Sequence, residues 1–144
     1  MQHTPELPGV GLVSFLRAAV NAGREKPIGV AEFHGLLKET MKELGIDPSF
    51  ASRTLNEGFS GGERKRMEVL QLLLLKPKYA ILDETDSGLD VDALKIVVSG
   101  IEKARAAGTG VLVITHYTQL VKELRPEKVY VMVGGKFAKT GGSE

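Results

Sequence analysis

Ser60-Gly61-Gly62-Glu63 opens a helix that must stop before Pro77, and the apolar run Tyr79-Ala80-Ile81-Leu82 follows at once and ends in Asp83-Glu84. That order of pieces limits the fold more than any other stretch of the chain. Ser60 suits an N-cap, and Glu63 three residues later completes a capping box. Gly61 and Gly62 leave the first turn bare of side chains. Its N–H groups then stand open at the positive end of the helix dipole, where an anion such as phosphate is stabilised. Met67, Val69, Leu70, Leu72 and Leu73 carry the helix to the proline, whose missing N–H and bulky ring end it. A short apolar run closed by carboxylates reads as a buried parallel strand. Ligands of open α/β sheets bind at the C-terminal ends of such strands. Asp83 and Glu84 would lie there, pointing to opposite sides.

The chain before this unit reads as mostly helical. Residues 1–11 hold Pro5, Pro8, Gly9 and Gly11 and suggest an extended loop. Ser14 to Ala22 has an apolar face of Phe15, Leu16, Ala19 and Val20. Asn21 to Gly29 is polar and basic, an exposed loop. Val30 to Leu44 spaces Phe33, Leu36, Leu37, Met41 and Leu44 as a helix does, with Gly45 suited to its C-terminal cap. Asp47-Pro48 predicts the start of a short helix. After Gly58 the pattern becomes α/β. Asp90 is placed to cap a helix that ends near Gly108, Val111 to Thr115 reads as a second buried strand, and a helix over 118–124 stops before Pro126. Lys128 to Val133 and Lys136 to Lys139 form a hairpin about Gly134-Gly135. The expected division is a helical part over 1–57 and a sheet-bearing part over 58–144.

With 144 residues the chain suffices for one domain or part of a larger one. A net charge of +1 favours neither nucleic acid nor an anionic membrane as partner. There is no cysteine, which excludes disulfides and thiolate-held metals or clusters on this chain. No apolar run is long enough to span a bilayer. Residues 1–10 lack the basic and hydrophobic regions of a secretory signal. The expected location is the cytoplasm. Arg64, Lys65 and Arg66 read as a solvated helix turn rather than a nucleic-acid site, and His3 and His34 as structural or solvated.

Four segments in order give the chain a resemblance to the ABC-type ATPases. Phe59 to Glu63 resembles the family's signature motif, Ala80 to Glu84 its Walker B strand, Ser87-Gly88-Leu89-Asp90 its D-loop, and His116 after a strand its switch histidine. The resemblance implies an α/β P-loop NTPase fold, ATP as ligand and Mg²⁺ as metal. It implies that Glu84 is the catalytic base and that His116 contacts the γ-phosphate and orients water. Asp83 would be the metal residue, and Gln2 the Q-loop glutamine that meets Mg²⁺ and water. Ser60, Gly61, Gly62 and Glu63, with Asp90, would meet ATP, the signature reaching the γ-phosphate held on the opposite subunit of an ATP-dependent dimer. The reaction class is in-line phosphoryl transfer to water.

No G-x-x-x-x-G-K-[ST] loop occurs. Gly135-Lys136 is the sole Gly-Lys pair, and Phe137 stands where Ser or Thr is required. The expectation is a partial ABC fold without the Walker A lobe, with an incomplete sheet and little competence alone. Phe59 and Glu63 in the signature, Thr85-Asp86 after the Walker B carboxylates, and Tyr117 after His116 make the chain similar to the SufC branch, the ATPases of the SUF iron–sulfur cluster assembly system. That branch works with the soluble scaffolds SufB and SufD, which here would dock on the helical part around Phe15 and Phe33. Two alternatives stand beside it: the nucleotide-binding subunit of a membrane transporter, and a non-catalytic half-domain that only binds.

Overall fold

The computed structural model describes residues 7–55 and 57–142. Strand β1 (Leu7–Gly11) leads directly into helix α1 (Leu12–Ala22), and helix α2 (Val30–Glu43) follows. A 3-10 helix (Pro48–Ser52) and the two-residue strand β2 (Thr54–Leu55) complete the first part. Then come α3 (Gly61–Leu75), β3 (Tyr79–Asp83), α4 (Val91–Ala106), β4 (Gly110–Ile114), α5 (Thr118–Leu124) and the strands β5 (Val129–Val133) and β6 (Lys136–Gly141).

The helices follow the apolar periodicity. Leu12, Leu16 and Val20 are buried on α1, and Phe33, Leu37 and Met41 on α2. Gly45 takes φ +59 beyond the end of α2, a conformation glycine adopts without steric cost. Asp47 caps the 3-10 helix by accepting the Ser49 N–H at 2.7 Å. That bond, first among several causes, holds its carboxyl below the usual range.

Two expectations give way to the structure, and a third holds with one exception. Residues 7–11 are a strand, paired antiparallel with β2, since Leu7 lies opposite Leu55 and Gly11 opposite Thr54. The loop after α1 is exposed as expected over 22–27, with one anchored exception at its end. Asn21 accepts the Ile28 N–H at 2.8 Å, and Ile28 is buried. Phe33 has no exposed surface and belongs to the core, so it cannot belong to a docking face; Phe15 is half-buried against the same core. Val30, at the start of α2, is the large apolar residue this helix exposes.

The core is contiguous. Leu16, Phe33, Met41, Met67, Leu70, Val97, Ile101 and Leu120 join α1 through α5 in one cluster. Helices α3 and α4 approach closely at Gly100, where an added Cβ would overlap Val69 Cγ1. Two polar ties bind α2 to its neighbours: Arg66 of α3 donates to the Gly45 carbonyl at 3.0 Å, and Lys103 of α4 meets Glu43 at 2.6 Å.

Strands β3 and β4 pair in parallel, with Tyr79 opposite Gly110 and Asp83 opposite Ile114. The crossover that parallel strands require runs through α4. These strands are not buried as the apolar runs suggest. Helices cover one face, where Leu82, Val111 and Val113 pack on the core, and Tyr79 (74% exposed), Ile81 (66%), Leu112 and Ile114 stand open on the other. Among the described residues the strands form three two-stranded sheets, β1–β2, β3–β4 and β5–β6. The last is the predicted hairpin, turning through Gly134 and Gly135 at φ +57 and +75. No described helix is long and apolar enough to cross a membrane.

Candidate functional site

The parallel register brings the ends of β3 and β4 side by side, and the expected catalytic pair with them. Asp83 is the last residue of β3, opposite Ile114. Glu84 follows with φ +49, a left-handed backbone uncommon for a residue with a Cβ. Its N–H still donates to the Ile114 carbonyl at 2.9 Å, and its own carbonyl accepts the Ser87 N–H at 3.2 Å. Simple strand alternation between Asp83 and Glu84 therefore stops at Asp83, and a turn sets the aim of Glu84. The His116 ring comes within 3.6 Å of the Glu84 carboxylate, Nδ1 to Oε1. The histidine is 73% exposed at its side chain and the glutamate 32%.

The helix end is formed as the sequence predicts. Ser60 caps α3: its hydroxyl accepts the Glu63 N–H at 3.3 Å, while the Glu63 carboxylate accepts the Ser60 N–H at 2.7 Å. The second bond is the chief reason the Glu63 carboxyl is held below its usual range, against a smaller opposing effect of burial. A depressed carboxyl stabilises the folded state above its ordinary value and loses that contribution only as pH falls through the lowered one. The box thus persists at mildly acidic pH. The N–H groups of Gly61 and Gly62 lie in the first turn, where no intrahelical acceptor exists, and an added Cβ at Gly61 would meet nothing within 4 Å. Phe59 is buried and rests on Phe50, ring centroids 4.8 Å apart, with the Arg53 guanidinium 4.2 Å over the Phe50 ring. An apolar anchor therefore seats the glycine turn.

The basic triplet has structural partners. Arg64 Nε donates to the Phe59 carbonyl at 3.1 Å, Lys65 meets Glu68 at 3.3 Å, and Arg66 reaches Gly45. Asp90 is the N-cap of α4, accepting the Ala93 N–H at 2.7 Å. The D-loop approaches the signature turn at Gly62, where an added Cβ would lie 3.9 Å from Leu89. Gln2 and His3 lie outside the described residues; His34 is exposed, edge-on to Phe33.

Sequence reasoning passed over two residues. Asp86 is buried, with Oδ2 accepting the Thr115 hydroxyl at 2.7 Å. Thr115 Oγ1 in turn accepts the Tyr117 N–H at 2.8 Å. Asp86 was noted only as part of the Thr85-Asp86 pair, and its partner lies 29 residues away.

Comparison with known proteins bears on the family and the fold. Residues 11–87 match the family model described as ABC transporter. The chain is 51% identical over 146 residues to Vegetative protein 296 of Bacillus subtilis, covering 100% of this chain and 56% of that protein. It is 49% identical over 143 residues to a probable ABC transporter ATP-binding protein of Streptococcus pyogenes serotype M3, covering 98% and 56%. It is 45% identical over 148 residues to the probable ATP-dependent transporter ycf16 of Cyanophora paradoxa, covering 99% and 57%. The chain thus spans a little over half the length of these relatives. Its fold superposes with a TM-score of 0.83 on the ATP-binding cassette MJ0796, solved as a dimer in a post-hydrolysis state bound to ADP and Pi. That match is at 17% identity and covers 100% of this chain and 61% of the other. The architecture is therefore a mixed α/β part of an ABC ATPase cassette, and the chain belongs to the ABC transporter family.

Proposed function

We propose that this chain is the signature and Walker B portion of an ATP-hydrolysing subunit that serves the SUF iron–sulfur cluster assembly machinery. The observation that carries the hydrolytic reading is the approach of His116 to Glu84 at the ends of adjacent parallel strands. A carboxylate there can accept a proton from the attacking water, and an imidazole beside it can hold the γ-phosphate and the water in line. Gly61 and Gly62 supply first-turn amides, with the capping Ser60 hydroxyl beside them, to the γ-phosphate carried by a facing subunit. Asp90, set by its capping bond, follows Leu89, which lies against the Gly62 turn, and Gln2 would complete the water contacts.

Mg²⁺ fits this donor set. The ion keeps several waters and takes one or two carboxylates together with substrate phosphates. Asp83, half-buried at the strand end, is such a carboxylate, and no described cluster of three acidic or imidazole side chains competes for the role. Bound with the nucleotide, Mg²⁺ would neutralise charge on the β- and γ-phosphate oxygens. In a full-length form that carries a Walker A loop, Glu84→Gln is expected to lower kcat by about 10²–10⁴-fold, the range of a lost general base, while ATP still drives dimerisation. Hydrolysis at the parental rate would remove Glu84 from the base role.

The SUF reading rests on Phe59, Glu63, Thr85-Asp86 and Tyr117 taken with the absence of cysteine, which leaves cluster chemistry to partners. The names of the Streptococcus and Cyanophora relatives favour a second reading, the nucleotide-binding subunit of a membrane transporter. A pull-down with the full-length form separates the two. Recovery of SufB and SufD, lost in Val30→Glu with ATP binding retained, is the expected result; recovery of a membrane permease instead would overturn it.

A further inference from the structure

We propose that Asp86 is a positioning residue: its carboxylate, through the Thr115 hydroxyl, sets the turn that presents His116 to Glu84. His116 needs such a device because its ring is 73% exposed and burial does not hold it. The direction of an exposed side chain is then set by its backbone. On one side of His116, Thr115 Oγ1 accepts the Tyr117 N–H at 2.8 Å and closes the turn. A threonine hydroxyl that only accepts is free to rotate. This one also donates, to Asp86 Oδ2 at 2.7 Å, so both its hydrogen and its lone pair have fixed directions. Asp86 itself is 5% exposed and takes up no other orientation easily.

The arrangement ties the two strand ends twice. Glu84 N–H to the Ile114 carbonyl is the backbone tie, and Asp86 to Thr115 is the side-chain tie. Glu84 and His116 each lie next to one end of these ties. Burying a carboxylate with one oxygen unpartnered, as Asp86 Oδ1 is, opposes folding. A group with that cost and a single hydroxyl partner makes physical sense as a fixed strut.

The functional half of the proposal rests on the hydrolytic reading above; the structural half does not. The test therefore has two arms. In this chain, amide hydrogen exchange at Tyr117 is expected to quicken at least tenfold in Asp86→Ala and in Thr115→Val. It should stay near the parental rate in Asp86→Asn and Thr115→Ser, which keep an acceptor and a hydroxyl. Exchange in α3 and α4 should be unchanged in all four, showing an intact core. In a full-length form that hydrolyses ATP, Asp86→Ala is expected to lower kcat tenfold or more at unchanged KM, with Asp86→Asn restoring most of it. Unchanged Tyr117 exchange in Asp86→Ala would overturn the strut. Faster exchange with an unchanged kcat in an active enzyme would overturn its bearing on His116. A parental form without ATPase activity would count against the hydrolytic reading, and the exchange arm would still decide the strut.

Discussion

Titrated with ATP and Mg²⁺ in a calorimeter, this 144-residue chain is expected to show no binding in the micromolar range and no phosphate release. Micromolar affinity requires about 8 kcal/mol. The phosphate contact the chain itself offers is the start of α3, and a helix-end interaction with an anion contributes about 0.3–2 kcal/mol. Part of that end is already occupied, because the Glu63 carboxylate accepts the Ser60 N–H and carries a negative charge at neutral pH. No G-x-x-x-x-G-K-[ST] loop supplies a cradle for the β-phosphate. In the proposed site Asp83 would meet phosphate through a metal and His116 through an exposed ring, so neither would close a gap of about 6 kcal/mol. Two copies facing each other present two signature turns and no cradle. Saturable low-micromolar binding, or turnover abolished by Glu84→Gln in this chain alone, would show that the nucleotide sits elsewhere.

Gly100→Ala is expected to destabilise the fold, although alanine is the better helix former. The propensity gain in mid-helix is about 1 kcal/mol. Against it stands Val69, fully buried on α3, whose Cγ1 an added Cβ would overlap, with Leu44 Cδ2 another 3.6 Å away. Valine in a helix has essentially one rotamer, so it cannot swing aside, and the two helices must separate. Overpacking of a tight core typically costs about 1–3 kcal/mol, and a contact this close belongs at or above the upper end. The net loss should be about 2 kcal/mol, a fall in Tm of roughly 5–10 °C for a chain of this size. Val69→Ala alone is also destabilising, through the cavity it leaves. The double variant should be more stable than the sum of the two singles by at least about 1 kcal/mol, since one change makes room for the other. Additive losses, or a Gly100→Ala variant more stable than the parent, would refute the close packing of α3 on α4.

What the sequence revealed and what it hid follow from the range of the interactions. The capping box of α3, the Asp47 and Asp90 caps and the Gly134-Gly135 turn were legible because each depends on residues within about four positions, where composition carries geometry. The placing of Asp83, Glu84 and His116 at strand ends needed no more than the recognition of two apolar runs. The left-handed turn at Glu84 was not legible, since a glutamate gives no sign that its backbone will leave the β region. Strand β1 was hidden because its partner β2 is two residues long and lies far along the chain, while Pro8 and Gly9 suggest a loop. Ile28 looked like an incidental apolar residue in a polar stretch until the Asn21 bond turned it inward. The open faces of Tyr79 and Ile81 mislead in the other direction: an apolar run records what a strand is built to be covered by, not what covers it in a given chain.

The Arg66–Gly45 bond has a mechanical reading. It fastens the first turns of α3, four residues past the glycines of the signature, to the corner where α2 ends. A load on the outer face of α2 must therefore either drag the start of α3 with it or break this bond. A hydrogen bond from a charged donor withstands about 1.5–3 kcal/mol, less where water reaches it. The apolar core that α2 shares with α3 couples the two helices beneath, and this bond extends that coupling out to the corner and the glycine turn. The guanidinium works as a tie rod between them.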